Sequence, residues 1–598
     1  MGSLHQSFRM SNNSTGVISA GAGAAGVDSI DHVMNLSEDF SNLLESTEYS
    51  DLVLKVEQTR FPVHRVVLAA RSEYFRALLY GGLKESAPTC REIELQVPSS
   101  TAFQLLLKYI YTGRIKLANM KEENLLDVLD LVHQYGFLDL ETSISEYLKA
   151  NLNLRNICMI YNIANLYNLN SLSATCLKHI DSNAKHIIQS DGFISLTENA
   201  LYEIVRRDSF YANENDIFTA VCNWADNNPE LPRDRVIQCV RLPLMDLDEI
   251  LTKVRPTTLV SPDALLDAIQ TKTKCKNMEL SYRGILVSDE NVATSRHGAE
   301  VIHGEIKSAL LDEDVTTYDL DRGFSRHLID ESCANPGIVV QLKEPHIINT
   351  IRLLLWDRDQ RSYSYYIECS MDNKDWVCIV DHSKYFCRSW QKLHFPTRVA
   401  KYFRIVGTHN TVNRVFHAIA FECYFTYSTF VLDNGIIVPS KNVATLDCSA
   451  CVLEGVSRCR NALINGHTKN YDWDSGYTCH QLGSGCIIIQ LAQPYMLDSM
   501  RLLLWDCDDR RYSYNIEVSV NQQNWETVAK RENCRSWEIL TFPKRPVAFV
   551  KLIGTHNTAN EVFHCVHFEC PADQEALNQY KQTLLTPSIG SLDNVKDI

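Results

Sequence analysis

One long stretch of this chain occurs twice. Residues 352–376 read RLLLWDRDQRSYSYYIECSMDNKDW and residues 501–525 read RLLLWDCDDRRYSYNIEVSVNQQNW, so that 15 of 25 positions are identical at a fixed spacing of 149 residues. A second pair, GTHNTVNRVFHAIAFEC at 407–423 and GTHNTANEVFHCVHFEC at 554–570, repeats at a spacing of 147 residues. Solenoid units repeat every 20–50 residues or so, which is far shorter. The chain therefore contains two copies of one whole domain.

Size and charge limit the function classes. A chain of 598 residues is expected to form about four domains at roughly 150 residues each. The net charge of −15 weighs against broad binding to nucleic acid or to an anionic membrane. We find neither an apolar leader nor a run of 18 apolar residues, and the 20 cysteines are too sparse for a disulfide scaffold. These features predict a cytoplasmic protein with reduced thiols and no membrane partner.

Hydrophobic periodicity changes along the chain. It predicts, in order, a disordered tail over 1–30, a helix over 34–44, strands over 51–56 and 61–69, a helix over 72–79 ended by Gly81 and Gly82, a strand over 92–97 and a helix over 102–111. Residues 124–268 have helical spacing almost throughout. From about 282 the period becomes two, with short strands separated by turn residues, which is typical of a β-sandwich or jelly roll. The tail 573–598 is predicted to be disordered.

Particular motifs in these regions resemble known families. DLVL at 51–54, FPVHRVVL at 61–68, YFRAL at 74–78 and YIYTG at 109–113 resemble a BTB/POZ domain. The helical region resembles a BACK domain through Asn223-Trp224, VRLPLM at 240–245 and VRP at 254–256.

The duplicated domains resemble factor V/VIII type C, or discoidin, domains. The resemblance rests on YYIECS at 365–370 followed by Trp376, and on YNIEVS at 514–519 followed by Trp525. The resulting prediction is a multidomain α+β chain with these parts: a BTB/POZ α/β domain over 33–150, an all-α BACK domain over 151–272, and two β-sandwich jelly-roll discoidin-like modules over 283–426 (the first module) and 436–572 (the second module).

The BTB–BACK resemblance implies a function. Many such proteins form homodimers and dock on a cullin-3 scaffold, to which they present a client protein for ubiquitin transfer. The family's hydrophobic-x-Glu segment matches Leu83 and Glu85 here, where an apolar anchor lies beside a carboxylate. The alternative is that Leu83 belongs to the core and Glu85 is a solvated charge. An apolar stripe is the predicted dimer element, or else packs within its own domain: Met34, Leu36, Phe40, Leu43 and Leu44.

One loop pattern, Y-D-x-D-x-G-[F/Y]-x-x-H, occurs in both modules. Loops carry most binding residues of β-scaffolds, and this one combines carboxylates, aromatic rings and an imidazole. It can accept a peptide, or supply oxygens to a hard cation such as calcium. The other interpretation is an Asx turn with buried aromatic rings. The candidate client-binding residues are Tyr318, Asp319, Asp321, Phe324, His327, Tyr471, Asp472, Trp473, Asp474, Tyr477 and His480.

Several weaker patterns are discounted. A GxGxxG run at 21–26 lacks a βαβ context, and the single CxxC pair Cys448 and Cys451 has no second pair to complete a zinc site. Trp356-Asp357 and Trp505-Asp506, with Arg361 and Arg511, are interpreted as core residues with ion pairs.

We therefore predict no catalytic, cofactor or metal residues. The favoured function is a non-catalytic cullin-3 adaptor that captures clients through the two modules. The alternative is a cytoplasmic protein-interaction scaffold without a ubiquitin-ligase role.

Overall fold

The computed structural model describes residues 32–585, apart from positions 47, 98, 119, 320, 331–336 and 460. The predicted disordered tail over 1–30 and the glycine run at 21–26 lie outside the described residues. The chain forms two compact units, residues 1–152 and residues 153–598, and each is described by itself.

The first unit is an α/β domain around a three-stranded sheet. Strand β1 pairs antiparallel with β2 and parallel with β3, so that the strand order is β2-β1-β3. Leu54, Phe75 and Phe103 are fully buried at the centre. The elements are α1 Val33–Ser46, β1 Leu52–Val56, β2 Thr59–Val63, α2 Arg65–Arg71, α3 Glu73–Tyr80, β3 Glu92–Leu95, α4 Ser100–Thr112, α5 Glu122–Gln134 and α6 Leu138–Ala150.

The predicted second strand over 61–69 was wrong in its latter half. The strand ends at Val63 and helix α2 begins at Arg65. The backbone N–H of Arg65 donates to the Asp51 carboxylate at 2.9 Å, and Arg65 and Leu68 are buried on one helical face. A run of β-branched residues favours a strand locally, but these tertiary contacts override that propensity.

Glycines end two helices of this unit through the left-handed region, which glycine adopts without steric cost. After α3 the left-handed residue is Gly82 at φ +85°, and after α4 it is Gly113 at φ +68°. Ser72 begins α3 by accepting the N–H of Phe75 with its hydroxyl. Both predicted helix ends are confirmed within one or two residues.

The second unit begins with a helical region, as the sequence predicts. Trp224 is fully buried there, and its indole Nε1 donates to the carbonyl oxygen of Leu196 at 2.8 Å. The helices are α7 Ile157–Leu166, α8 Asn170–Ser182, α9 Ala184–Ile187, α10 Asp191–Ile194, α11 Glu198–Val205, α12 Glu214–Asn227, α13 Asp234–Ile237, α14 Leu247–Glu249 and α15 Pro262–Lys274.

Each copy of the sequence repeat forms a seven-stranded antiparallel sheet that is typical of a jelly-roll sandwich, which confirms the predicted fold. The strand orders correspond: β5-β10-β6-β9-β7-β8 with β4 on β6, and β14-β19-β15-β18-β16-β17 with β13 on β15. The strands of the first module are β4 Glu300–His303, β5 Ser325–Leu328, β6 Ile338–Leu355, β7 Tyr363–Ser370, β8 Val377–Cys387, β9 Trp390–Asn410 and β10 Val415–Tyr424.

A hairpin of two short strands connects the modules. It consists of β11 Val431–Asp433 and β12 Ile436–Val438. The strands of the second module are β13 Cys451–Glu454, β14 Thr478–Gln481, β15 Ile487–Leu504, β16 Tyr512–Ser519, β17 Glu526–Cys534, β18 Trp537–Asn557 and β19 Val562–Glu569.

The predicted disordered tail over 573–598 requires correction. Helix α16 spans Gln574–Leu585, and residues 586–598 lie outside the described residues. The Asp573 carboxylate accepts the N–H of Ala576 at 3.0 Å, and Leu577 is buried. An acidic cap followed by one buried leucine is a helix signal that the overall polarity of the tail concealed.

An arginine in the linker before β4 joins the helical region to the first module. Arg283 donates through Nε to Glu214 Oε1 at 2.6 Å, and both side chains are almost completely buried. Its other nitrogens donate to the carbonyl oxygens of Val205, Arg207 and Cys239 at 2.6–3.0 Å. These hydrogen bonds use four of the five N–H groups of the guanidinium, and such hydrogen bonding is the condition for burying a charged pair.

Candidate protein-interaction site

The turn after α3 exposes the predicted cullin-binding residues. Leu83 is 53% exposed, so the alternative that it belongs to the core is wrong. Residues Lys84–Ser86 form a single 3₁₀ turn, in which the N–H of Ser86 donates to the Leu83 carbonyl oxygen at 3.0 Å. Arg65 fixes the turn from below, because its Nη1 donates to the Glu85 carbonyl oxygen at 3.1 Å. The backbone beneath the apolar side chain is therefore held by defined hydrogen bonds.

Helix α1 presents its apolar stripe on the surface of the first unit. None of its 14 residues is buried; Met34 and Leu36 are exposed, while Phe40, Leu43 and Leu44 are half-buried. One hydrogen bond, from Ser37 Oγ to the Thr112 carbonyl oxygen at 2.8 Å, attaches the helix to α4.

A groove of about 400 Å³ runs along the same stripe. It lies between α1 and residues of α2 and α4, including Val66, Val67 and Ile110. Val66 is 67% exposed there. The face is therefore apolar and only partly covered by its own domain.

The repeated loop pattern forms an Asx turn in both modules. Asp319 Oδ1 accepts the backbone N–H groups of Asp321 and Arg322 at 2.9 and 3.1 Å. Asp472 Oδ1 accepts those of Asp474 and Ser475 at 2.9 and 2.7 Å. These hydrogen bonds hold the pKa of both aspartates below the ordinary value, since they favour the carboxylate.

The tyrosine that opens each loop attaches it to the sheet. Tyr318 Oη donates to Asp357 at 2.6 Å, and Tyr471 Oη donates to Asp506 in the same way. Burial and the neighbouring carboxylate raise the pKa of both phenols. These hydrogen bonds therefore attach the first residue of each loop to the sheet.

Three of the candidate client-binding residues are corrected to structural residues. Phe324, His327 and His480 are buried. Each histidine Nδ1 donates to a backbone carbonyl oxygen at 2.9 Å, and each Nε2 accepts a glycine N–H at 2.9 Å, from Gly407 and Gly554 respectively. Both imidazole nitrogens are thus used within the module. We predicted these residues to be part of the loop because they are close to it in sequence, but they lie in strands or in the core.

The remaining candidates lie at the surface of the same loops. Asp319, Asp321, Asp472, Asp474 and Trp473 are exposed. Trp473 is the most prominent, since 63% of it is accessible.

The indole of Trp473 is held by aromatic and cationic neighbours. Its ring centroid lies 4.4 Å from that of the buried Trp505, and the Arg510 guanidinium lies within 5.0 Å of its ring centroid. The second module therefore presents a large, oriented aromatic ring between two carboxylates.

The two Trp-Asp pairs and their arginines form a core with ion pairs, as predicted, but the paired carboxylates are Asp359 and Asp508 rather than Asp357 and Asp506. Trp356 and Trp505 are buried, with the guanidinium groups of Arg361 and Arg510 at 4.1 and 4.2 Å from their rings. Arg361 pairs with Asp359, and Arg510 pairs with Asp508. Arg510, rather than Arg511, is the counterpart of Arg361.

Metal and disulfide chemistry find little support in the described part of the chain. No group of three His, Cys, Asp or Glu residues in that part converges on a possible metal position. In the Asx turns, Oδ1 of Asp319 and Oδ1 of Asp472 already accept backbone N–H groups. Cys423 and Cys570 are buried thiols, and burial raises the pKa of both.

Comparison with known proteins decides the family. A BTB/POZ domain model matches residues 40–152, a "BTB And C-terminal Kelch" (BACK) model matches 157–255, and an F5/8 type C domain model matches 293–420. BTB/POZ domain-containing protein 9 from Homo sapiens is 59% identical over 92% of this chain and 90% of its own length. This chain belongs to the BTB/POZ domain-containing protein 9 family.

Other relatives match most or part of this chain. BTB/POZ domain-containing protein 9 from Drosophila melanogaster is 50% identical over 92% of this chain and 75% of its own length. Kelch-like protein 6 from Homo sapiens is 32% identical over 33% of this chain and 32% of its own length. This family thus shares a BTB–BACK architecture with Kelch-like proteins.

Two solved structures resemble parts of this family member. The BTB domain of human gigaxonin is 26% identical and covers 20% of this chain and 96% of its own, with a TM-score of 0.17. The CBM32 of AlyQ is 10% identical and covers 21% of this chain and 93% of its own, with a TM-score of 0.18. Among the described residues, no helix has both the length and the apolar character required to cross a bilayer.

The sequence reasoning missed the residues that join the domains of the second unit. Gln391, Gln490 and Gln493 are completely or almost completely buried between the modules. Gln490 and Gln493 interrupt the apolar run IIIQLAQPY, and a polar residue inside such a run was the signal that could have identified them.

Proposed function

We propose that the chain is a non-catalytic, cytoplasmic adaptor of a cullin-3 ubiquitin ligase. The first unit dimerises and docks on cullin-3, and the two discoidin-like modules capture a client protein. The observation that carries this proposal is the exposed Leu83 on a turn held by Arg65, within a domain that belongs to the BTB family. The BTB–BACK architecture shared with Kelch-like proteins supports an adaptor role in general.

The turn suits a small protein contact. An exposed leucine side chain is unfavourable in water. Covering it with a partner's pocket stabilises the complex by roughly 25 cal/mol per Å² of apolar surface buried. The half-buried Glu85 lies two residues away and supplies a charged acceptor for donors around that pocket. Since the backbone is already fixed, docking orders little additional chain, which favours affinity.

Changing both turn residues is expected to weaken cullin-3 binding. The Leu83→Ala, Glu85→Ala double variant should lose at least about tenfold in affinity, because it removes the apolar anchor and the charged acceptor together. Isothermal titration calorimetry, with purified cullin-3 titrated into the full chain, measures this affinity. Leu138→Ala is the matched control, since Leu138 is a 71% exposed leucine on α6 of the same unit. Equal affinity of the double variant and the wild type would remove the cullin assignment.

Dimerisation is proposed through α1 and its groove. An exposed apolar stripe beside an apolar groove is stabilised when a second copy covers both. Leu36→Asp is expected to convert the dimer to a monomer, because it places a carboxylate in the covered surface. Light scattering of the full chain gives the mass directly. Leu138→Asp should leave the mass unchanged, and a monomeric wild type would contradict the proposal.

Client capture is proposed through the exposed loop residues, above all Trp473. Oriented aromatic side chains are frequent anchors in protein interfaces, and dimerisation raises the effective concentration of the modules. Trp473→Ala is expected to remove a subset of neighbours in proximity labelling of the full chain. Val412→Ala, at another exposed apolar position of the modules, is the control. An unchanged set of labelled proteins would exclude this loop as the contact.

The adaptor and the scaffold differ in the fate of the client. An adaptor shortens the half-life of a client that depends on Trp473, and inhibition of cullin activity restores it. A scaffold binds the same client and leaves its half-life unchanged. Pulse-chase measurement of that client therefore decides between ubiquitin transfer and simple assembly.

A further inference from the structure

The same segment of each module contacts the domain that precedes it. Register breaks in β6 and β15 set apart a four-residue bulge, LKEP at 342–345 and LAQP at 491–494, at a spacing of 149 residues. In the first bulge, Glu344 accepts from Tyr211 Oη of the helical region at 2.8 Å. In the second bulge, Ala492 and Gln493 contact the first module. We call these segments the docking bulges.

The first module receives the second bulge at a defined acceptor site. The N–H of Arg388 donates to the Ala492 carbonyl oxygen at 2.9 Å, and Gln391 Nε2 donates to the same oxygen at 2.7 Å. Gln493 forms two hydrogen bonds with the backbone of Lys392, at 2.6 and 2.9 Å. This first acceptor site also includes Ser362, which accepts from Gln490, and Phe386, which packs on an apolar cluster of the second module.

The second module has a site at the corresponding position, but no docking bulge lies on it. The loop Cys387-Arg388-Ser389-Trp390 of the first module returns unchanged as Cys534-Arg535-Ser536-Trp537. The positions that make the specific contacts differ: Ser362, Phe386, Gln391 and Lys392 become Arg511, Asn533, Glu538 and Ile539. We call Arg511, Asn533, Arg535, Glu538 and Ile539 the second acceptor site.

One buried polar atom marks this site as incomplete. Tyr365 Oη in the first module donates to Gln391 Oε1 at 3.2 Å. Its counterpart Tyr514 is fully buried, and its hydroxyl has only the Cys534 thiol beside it, with no hydrogen bond to an oxygen or nitrogen atom among the described residues. Glu538, the counterpart of Gln391, is half-buried beside it, and burial raises the pKa of its carboxyl. A buried hydroxyl and a desolvated carboxylate both gain from an added donor or acceptor.

The altered residues exclude another discoidin-like module as the occupant. Glu538 as a carboxylate repels the backbone carbonyl that Gln391 receives, and Asn533 lacks the ring that Phe386 inserts. Both docking bulges of the chain are also engaged already, one on the helical region and one on the first module. The partner must instead supply a hydrogen-bond donor to Glu538, and cationic side chains are the strongest donors to a carboxylate.

The charges around the site are consistent with that occupant. Arg535 is already paired with Asp509 at 2.9 Å, and Arg511 Nη1 donates to the Asn533 carbonyl oxygen at 3.2 Å. Glu538 forms no ion pair among the described residues, although the Cys534 thiol, the Arg531 charge and the Arg535 backbone N–H all favour its ionised form. It is therefore the acidic group of the site that remains available to a cation.

We propose that the second acceptor site binds an extended segment of a partner polypeptide, and that a lysine or arginine of this segment pairs with Glu538. The proposal deepens the client-capture role and rests on it. It assigns the contact to the surface that, in the first module, already binds polypeptide backbone.

Peptide selection on the full chain tests the proposal. A phage library of random twelve-residue peptides is panned on immobilised wild-type chain, and the enriched peptide is synthesised with a fluorescent label. Anisotropy then gives its affinity for the wild type, E538Q and R511S. E538Q replaces the carboxylate by the amide found in the first module, so the fold should be retained, which thermal unfolding checks. Leu138→Ala, at an exposed leucine of the first unit, is the binding control.

The expected consensus contains lysine or arginine. E538Q should weaken binding of the labelled peptide at least tenfold. R511S should leave the affinity unchanged or raise it, because it removes a positive charge that repels the lysine or arginine of the peptide. An acidic or purely apolar consensus, or equal affinity for E538Q, overturns the proposal. A tenfold gain in affinity on deleting 586–598 would identify the chain's own tail as the occupant and also overturn it. Because the assay contains no cullin-3, its failure and failure of the cullin titration are separate results.

Discussion

Replacing Arg283 by alanine is expected to lower the free energy of unfolding of the second unit by about 3–5 kcal/mol, the usual cost of breaking a buried ion pair by removing one partner. The variant leaves the Glu214 carboxylate, which is 6% exposed, without its cation. It also leaves the carbonyl oxygens of Val205, Arg207 and Cys239 without their donor. Denaturant unfolding of the full chain, monitored by tryptophan fluorescence, measures the change.

A nearby exposed pair provides the control. Arg206 pairs with Glu203, and their side chains are 54% and 30% exposed, so Arg206→Ala should cost about 1 kcal/mol or less at the pair itself. A double variant, Arg283→Met with Glu214→Leu, should recover much of the lost stability, because no buried charge remains. A loss below about 1 kcal/mol for Arg283→Ala would mean that water reaches the pair.

Acidification from pH 6.5 to 4 is expected to destabilise the two modules strongly. Burial lowers the pKa of His382, His417 and His564 to about 4 in the folded chain. The unfolded chain titrates near pH 6.5 and therefore binds more protons within this window, so that stability rises with pH. The stability that each unprotonated histidine contributes is complete above about pH 6.5. It is lost as pH falls towards 4, by up to about 3 kcal/mol for each histidine.

The corresponding positions of the two modules make this testable. Tyr363 Oη and Tyr512 Oη lie 3.2 and 3.3 Å from Nδ1 of His417 and His564. A double variant with glutamine in place of both histidines should show a flatter dependence of melting temperature on pH between 6.5 and 4.5. A wild-type melting temperature that stays constant across this window would show that protonated imidazole is accommodated in the fold.

The sequence was most informative where its pattern is long and repeated. The 149-residue spacing predicted two copies of one β-domain, and both sheets have the same strand order. Helix ends were also predictable, because the left-handed conformation of Gly113 after α4 depends only on the local backbone. The site was predicted less well. The Asx turns of Asp319 and Asp472 follow from local chemistry, whereas the burial of His327 and His480 depends on strand pairing.

Tertiary contacts explain the other failures. The run at 65–69 contains two β-branched residues, Val66 and Val67, and yet is helical, since Asp51 and the buried face of α2 decide its conformation. Arg283 gives no signal of its own in the sequence, and its role depends on carbonyl groups 44–78 residues away. Such long-range networks have no periodicity that a single sequence can show.

Head-to-tail contact through the docking bulges has a consequence for how such a chain can lengthen. An interface between two different faces leaves one face of each added copy ready for the next, so exchange between molecules gives rings or open filaments. A tandem duplication therefore has both a complementary interface between its copies and a risk of polymerisation. At the corresponding face of the second module, Asn533 and Glu538 replace Phe386 and Gln391, so this face lacks the ring and the amide that hold the docking bulge in the first module.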